Sequence, residues 1–81
     1  LDGFPRALLA IAEVATHGAA KYSEHGWASV PDGVKRYSAA GDRHRLQGAI
    51  EPTDPGRGLT HLAHAAWNAL AVLELHLRGA K

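Results

Sequence analysis

The segment Gly58-Leu59-Thr60-His61-Leu62-Ala63-His64-Ala65-Ala66-Trp67-Asn68-Ala69-Leu70-Ala71-Val72-Leu73-Glu74-Leu75 is rich in alanine and leucine and reads as one long helix that fills the rest of the chain. At about 100° of rotation per residue, His61, His64 and Asn68 fall within about 60° of one another, on a stripe shared with Ala65, Val72 and Leu75. Leu59, Leu62, Ala66, Leu70, Leu73 and Leu77 form a second, apolar stripe on the opposite side. A helix with this pattern is expected to be buried on two sides. Imidazole and carboxamide groups removed from water need partners, so the His-x-x-His-x-x-x-Asn row either satisfies itself structurally or offers its groups to a ligand.

Outward from this segment, two more helices are expected. The first begins near Pro5, with Asp2 and Gly3 as candidate caps, and runs through Leu8, Ile11, Ala12, Ala15 and Ala19 to end near Tyr22. A loop follows from Ser23 to Gly33 around Trp27, punctuated by Gly26, Pro31 and Asp32. A shorter, more polar helix spans about Val34 to Gln47 and carries Tyr37, Ala40 and His44 on one side. The stretch from Ala49 to Gly58, with two prolines and two glycines, is expected to lack regular structure. The fold class is therefore all-α: residues 1–81 make a single domain, a small three-helix subunit.

Composition narrows the function classes. An 81-residue chain has a thin core, which assembly into an oligomeric helical bundle, a homodimer or homotetramer, would thicken. A net charge of +1 with both signs interleaved leaves no basic patch for nucleic acid. No apolar run approaches a membrane span and no signal peptide is visible, and the lack of cysteine fits a reducing compartment, so a cytoplasmic location is expected. The chain has no methionine, from which it is expected to begin within a larger gene product. Six histidines are the compositional excess.

Few groups can carry chemistry, because Asp and Glu together number eight. Glu51 and Asp54 precede the last helix, where carboxylates either cap its amino end or bind a hard cation. Both readings stay open. His61 and His64 have the spacing of two transition-metal ligands, with His44, Asp54 or Glu51 as a third, and equally the spacing of a structural hydrogen-bonded pair. Glu13, His17 and Lys21 recur every four residues and read as an exposed face of ion pairs. Lys21, Tyr22 and Trp27 also form a set suited to phosphate and purine, and Arg36 and Arg43 can clamp phosphate.

The runs Gly18-Ala-Ala-Lys-Tyr22, Gly26-Trp27, Arg36-Tyr37, Arg43-His44, Glu51-Pro-Thr-Asp-Pro55 and Gly58-Leu-Thr-His-Leu-Ala-His-Ala-Ala-Trp-Asn-Ala-Leu70 together resemble the phage and bacterial dATP/dGTP diphosphohydrolase-like family. The resemblance covers most of the chain in order. It implies kinship with the all-α, MazG-like nucleotide pyrophosphohydrolases, which use magnesium to cleave a nucleoside triphosphate into monophosphate and pyrophosphate. It also picks out Lys21, Tyr22, Trp27, Arg43, His44, Glu51, Asp54, His61, His64 and Asn68 as the polar signature. The chain departs from the pattern at Gly56 and Arg57, where an acidic residue and a serine are usual, and it lacks a Glu-x-x-Glu pair, having Glu13 alone in the first helix.

The expected function is metal-dependent hydrolysis of deoxypurine nucleoside triphosphates to monophosphate and pyrophosphate. His44, His61, His64 and Asn68 are the candidate catalytic residues, and Lys21, Tyr22, Trp27, Arg36 and Arg43 the candidate substrate-binding ones. Glu51, Asp54 and Glu13 would hold Mg2+, with Mn2+ as a possible substitute. Two other readings stand beside it: a non-catalytic helical binding or assembly module with a buried His/Asn network, and a phosphohydrolase with zinc or manganese at His44, Asp54, His61 and His64.

Overall fold

The computed structural model describes residues 1–51 and 55–79, the side chains of Tyr22 and Pro55 excepted. Three helices, α1 (Pro5–Tyr22), α2 (Gly33–Ala49) and α3 (Pro55–Leu77), follow one another, with a short 3-10 turn at Gly26–Ser29 between α1 and α2. Among the described residues there is no strand. α2 and α3 share the most extensive interface, and α1 lies against α3.

Helix α1 starts at Pro5, whose fixed φ suits a first-turn position. Phe4, rather than Asp2 or Gly3, occupies the capping position, and no side chain caps it. The half-buried side of α1 runs through Ala10, Ile11, Val14, Gly18 and Ala19, while Leu8, Ala12 and Ala15 face solvent. This rotates the expected apolar face: in an alanine-rich helix the small residues mark no single side, and docking against α3 selects one. Ser23, at φ 89°, ends the helix, its N–H donating to the Ala19 carbonyl at 2.9 Å.

Helix α2 begins after Asp32, which takes a left-handed conformation at φ 55°, and extends slightly beyond the expected limits at both ends. Its inner side carries Gly33, Tyr37, Gly41, His44 and Gly48, each three or four residues from the next. A Cβ added to Gly41 would lie 3.2 Å from Asn68 Cβ, and one added to Gly48 would lie 3.3 Å from His61 Cβ. Backbone-to-backbone approach of α2 and α3 thus depends on glycine at these positions.

Helix α3 corrects one expectation. It begins at Pro55, so Gly56, Arg57 and Gly58 are helical rather than part of an irregular stretch. Proline is tolerated in a first turn, and the two glycines weaken helix propensity without forbidding the conformation. The buried residues of α3 are Asn68, Ala71 and Leu75, continuing the His61–His64 stripe. The opposite stripe is open in the single chain: Leu59, Leu62, Leu70, Leu73 and Leu77 are 50% to 76% exposed. The expected burial of Leu62, Leu70, Leu73 and Leu77 is therefore not achieved within one subunit.

An aromatic trio closes one end of the molecule. Trp27, Tyr37 and Trp67 meet edge to face at centroid separations of 5.4 to 6.2 Å, and the Tyr37 hydroxyl donates to the Trp27 carbonyl at 2.7 Å. Arg78 covers the Trp27 ring at 5.5 Å while its Nε binds Glu74 at 2.7 Å. These contacts tie the 3-10 turn to α2 and α3.

Candidate active site

Three imidazoles from two helices meet where α2 packs on α3. His44 comes from the inner side of α2; His61 and His64 are one turn apart on α3. His44 Nδ1 and His61 Nδ1 are 3.0 Å apart, a hydrogen bond in which one ring donates and the other accepts. His64 instead stacks on His44, with centroids 4.6 Å apart and planes inclined by 16°.

Glu51 sits just beyond the end of α2. Its Oε1 is 3.7 Å from His61 Nε2 and its Oε2 is 3.6 Å from Arg57 Nε. Both are electrostatic contacts longer than hydrogen bonds, and Oε2 is shut off from water with no hydrogen-bond partner among the described residues. Arg57, which the sequence marks as a departure from the family pattern, is thus a neighbour of the carboxylate in question.

Burial and crowding favour the neutral forms of His44 and His64. Burial lowers the pKa of His44 below its ordinary 6.5, and His64, His61 and Arg43 push it the same way. Burial likewise lowers that of His64, with His61 and His17 adding to the effect. Crowded imidazoles cannot all carry charge together.

A cleft of about 390 Å³ opens beside the cluster, between all three helices. Its polar wall is formed by His17 and Lys21 of α1, Arg36 and His44 of α2, and His64 and Asn68 of α3. Tyr37 and Trp67 line it as well. Among its described lining residues there is no carboxylate, so the cleft is strongly biased toward an anion.

The expected site residues are thus divided. Lys21, Arg36, His44, His64 and Asn68 converge on the cleft. His61 lies behind them, bonded to His44. Asn68 is 5% exposed and donates from Nδ2 to the His64 carbonyl one turn earlier at 2.8 Å, which orients its amide. Arg43 is exposed and acts on His44 through its charge. Trp27, expected at the base, is held in the aromatic trio and does not border the cleft. The Tyr22 side chain and Asp54 lie outside the described residues.

His17, Tyr37 and Trp67 are cleft residues that the sequence reading did not assign to a site. A signal for two of them existed in the spacing: His17 is one turn before Lys21, and Trp67 one turn after His64.

Of the expected magnesium ligands, Asp54 lies outside the described residues, and the two that are described have different surroundings. Glu13 is exposed and lies by His17 and Thr60 on the other flank of α1, while Glu51 faces an imidazole and a guanidinium. Magnesium takes an oxygen-rich shell, and among the described residues no group of three His, Asp or Glu side chains could hold a metal ion. Of the set His44, Asp54, His61 and His64 expected in the transition-metal reading, Asp54 lies outside the described residues, and His44 and His61 hydrogen-bond to each other through their Nδ1 atoms.

Compared with known protein families, residues 1–81, the whole chain, match the family model described as dATP/dGTP diphosphohydrolase, N-terminal. No curated protein and no solved structure matches the chain significantly.

Proposed function

Since the chain belongs to the dATP/dGTP diphosphohydrolase N-terminal family over its whole length, we propose that it binds deoxypurine nucleoside triphosphates in the three-helix cleft and hydrolyses them to monophosphate and pyrophosphate. The observation that carries this reading is the composition of the cleft wall: two permanent cations, Lys21 and Arg36, and three imidazoles, with no described carboxylate. A triphosphate is the kind of ligand such a wall selects, because its negative charge is complementary to the ammonium, guanidinium and imidazole groups gathered there. Lys21 supplies a compact charge to phosphate oxygens, and Arg36 a planar fork. Trp67 and Tyr37 offer ring surface to the base, the part given to Tyr22 and Trp27 by the sequence.

Magnesium enters this reading with the substrate, as the complexed triphosphate, because the described carboxylates do not assemble an oxygen-ligand set. The chain's own contribution is to hold the phosphates, to orient them against His44, and to neutralise the charge that develops on the departing pyrophosphate. A second copy of the subunit is proposed to cover the exposed leucine stripe of α3.

Pyrophosphate release from dATP and dGTP in the presence of magnesium tests the proposal. Lys21→Ala and Arg36→Ala are each expected to weaken substrate binding by about tenfold or more, with stability changed by no more than about 0.5 kcal/mol, as for surface substitutions. The binding-module alternative draws support from Asn68, whose amide is engaged by its own helix. It predicts nucleotide binding or assembly with no pyrophosphate released by the parent protein.

A further inference from the structure

The hydrogen bond between His44 and His61 joins two Nδ1 atoms at 3.0 Å, an arrangement that fixes more than contact. A neutral imidazole carries one N–H and one lone pair, so only two neutral arrangements satisfy this bond. In one, His44 donates from Nδ1 and His61 carries its proton on Nε2. In the other, His61 donates from Nδ1 and leaves a lone pair on Nε2.

Glu51 decides between them. Its Oε1 stands 3.7 Å from His61 Nε2, where an N–H dipole is attracted and a lone pair repelled. Its other oxygen is closed to water, has no hydrogen-bond partner among the described residues and faces Arg57 Nε at 3.6 Å, which favours the ionised carboxylate beside His61. The proton therefore belongs on His61 Nε2, which makes His61 Nδ1 the acceptor and His44 Nδ1 the donor. His44 Nε2 is then left as a lone pair. His44 lines the cleft while His61 does not, so with Nδ1 turned to His61 the opposite ring edge, bearing Nε2, is the one available to the cleft.

We propose that Glu51 is a positioning residue rather than a metal ligand: acting through His61, it sets the tautomer of His44 so that His44 Nε2 is the base that accepts a proton from the attacking water. The proposal rests on the nucleotide hydrolysis inferred above. In the step, a water O–H bond breaks and its proton goes to His44 Nε2. The oxygen forms a bond to the α-phosphorus as the bond from that phosphorus to the bridging oxygen breaks, and pyrophosphate leaves with the electron pair. The proton on His44 then passes to solvent, so that triphosphate and water yield monophosphate, pyrophosphate and one proton.

The groups around His44 suit this role. His64 stacks on its face from α3, Arg43 adjoins it on α2, and Lys21 and His17 of α1 and Arg36 of α2 line the same cleft. Burial first, and then His64, His61 and Arg43, lower the pKa of His44, so its Nε2 lone pair is unprotonated at neutral pH.

The test combines nitrogen NMR of the full chain with steady-state kinetics. In the parent protein, 15N shifts of the side chains are expected to identify His44 as the Nδ1–H tautomer and His61 as the Nε2–H tautomer. Glu51→Gln should mix these populations and lower kcat for pyrophosphate release by about tenfold or more with KM nearly unchanged, and excess magnesium should not restore it. His44 found as the Nε2–H tautomer in the parent protein overturns the proposal. So does a Glu51→Gln variant whose tautomers are unaltered, or whose activity returns with added magnesium, the behaviour of a metal ligand. The tautomer measurement needs no substrate, so a parent protein that releases no pyrophosphate counts against the hydrolytic function and leaves the Glu51–His61–His44 linkage to be judged by NMR.

Discussion

At the scale of single residues, the histidine cluster couples protonation to folding. His44 and His64 have pKa values lowered below 6.5 in the folded chain, whereas the unfolded chain takes up protons near that value. Above it neither state is charged at these sites and their contribution to stability is complete. As pH falls through about 6.5, the unfolded state binds protons that the folded state resists, and stability drops until the folded-state values are passed. Thermal unfolding is therefore expected at a lower temperature at about pH 5.5 than at about pH 7.5. Replacing His44 by glutamine should reduce that difference, and an unchanged difference would show that other groups cause it. The row of His61, His64 and Asn68 was legible because helical spacing alone aligns it. Their partners were not, since His44 and Glu51 come from other parts of the chain and only packing brings them within 3.0 and 3.7 Å of His61.

At the scale of elements, α2 and α3 are held close by glycine. Gly41→Ala gains about 1 kcal/mol of helix propensity. Against this, its Cβ would sit 3.2 Å from Asn68 Cβ, an atom close to backbone that cannot swing aside. We expect net destabilisation by about 1 kcal/mol or more, since overpacking of such a contact typically costs about 1 to 3 kcal/mol. Gly18→Ala in α1 is the control: nothing lies within 4 Å of the added Cβ, so the propensity gain should appear as about 0.5 to 1 kcal/mol of added stability. Urea denaturation of both variants reads the contrast, and a stabilised Gly41→Ala would refute the close-approach argument. The existence and order of the helices were readable from periodicity and from Pro5. The start of α3 was misread because Pro55 and two glycines look like loop residues, although proline is at home in a first turn.

At the scale of the whole molecule, the subunit is thinly packed. Among the described residues Ala71 and Leu75 form the buried apolar core, while Leu59, Leu62, Leu70, Leu73 and Leu77 stay at least half exposed. Its radius of gyration of 12.9 Å exceeds the roughly 12 Å expected for a compact chain of this length. A contiguous leucine stripe of this kind is what a second subunit would cover in the proposed assembly. The expected outcome is a homodimer or homotetramer at micromolar concentration by light scattering, dissociated by a Leu62→Glu, Leu70→Glu double substitution with the helical signal retained. A monomeric parent protein would remove this element of the proposal. No helix among the described residues is long and apolar enough to cross a membrane, so that stripe is not part of a spanning segment.

The sequence by itself determined the all-α class, the helix order and the polar stripe on α3, because each depends on residues near one another in the chain: helix periodicity, proline and glycine punctuation, and the three- and four-residue steps that share a face. It also carried enough of the family pattern for the match over residues 1–81. The tertiary structure alone decided which partners those polar groups meet. Lys21 and His17 from α1, Arg36 and His44 from α2, and His64 and Asn68 from α3 share one cleft, and Trp27 is drawn instead into an aromatic trio. Glu51 is turned toward His61 and Arg57. The physical reason is that such pairings depend on the relative placement of whole helices, which is set by where glycine permits close approach and not by any local propensity.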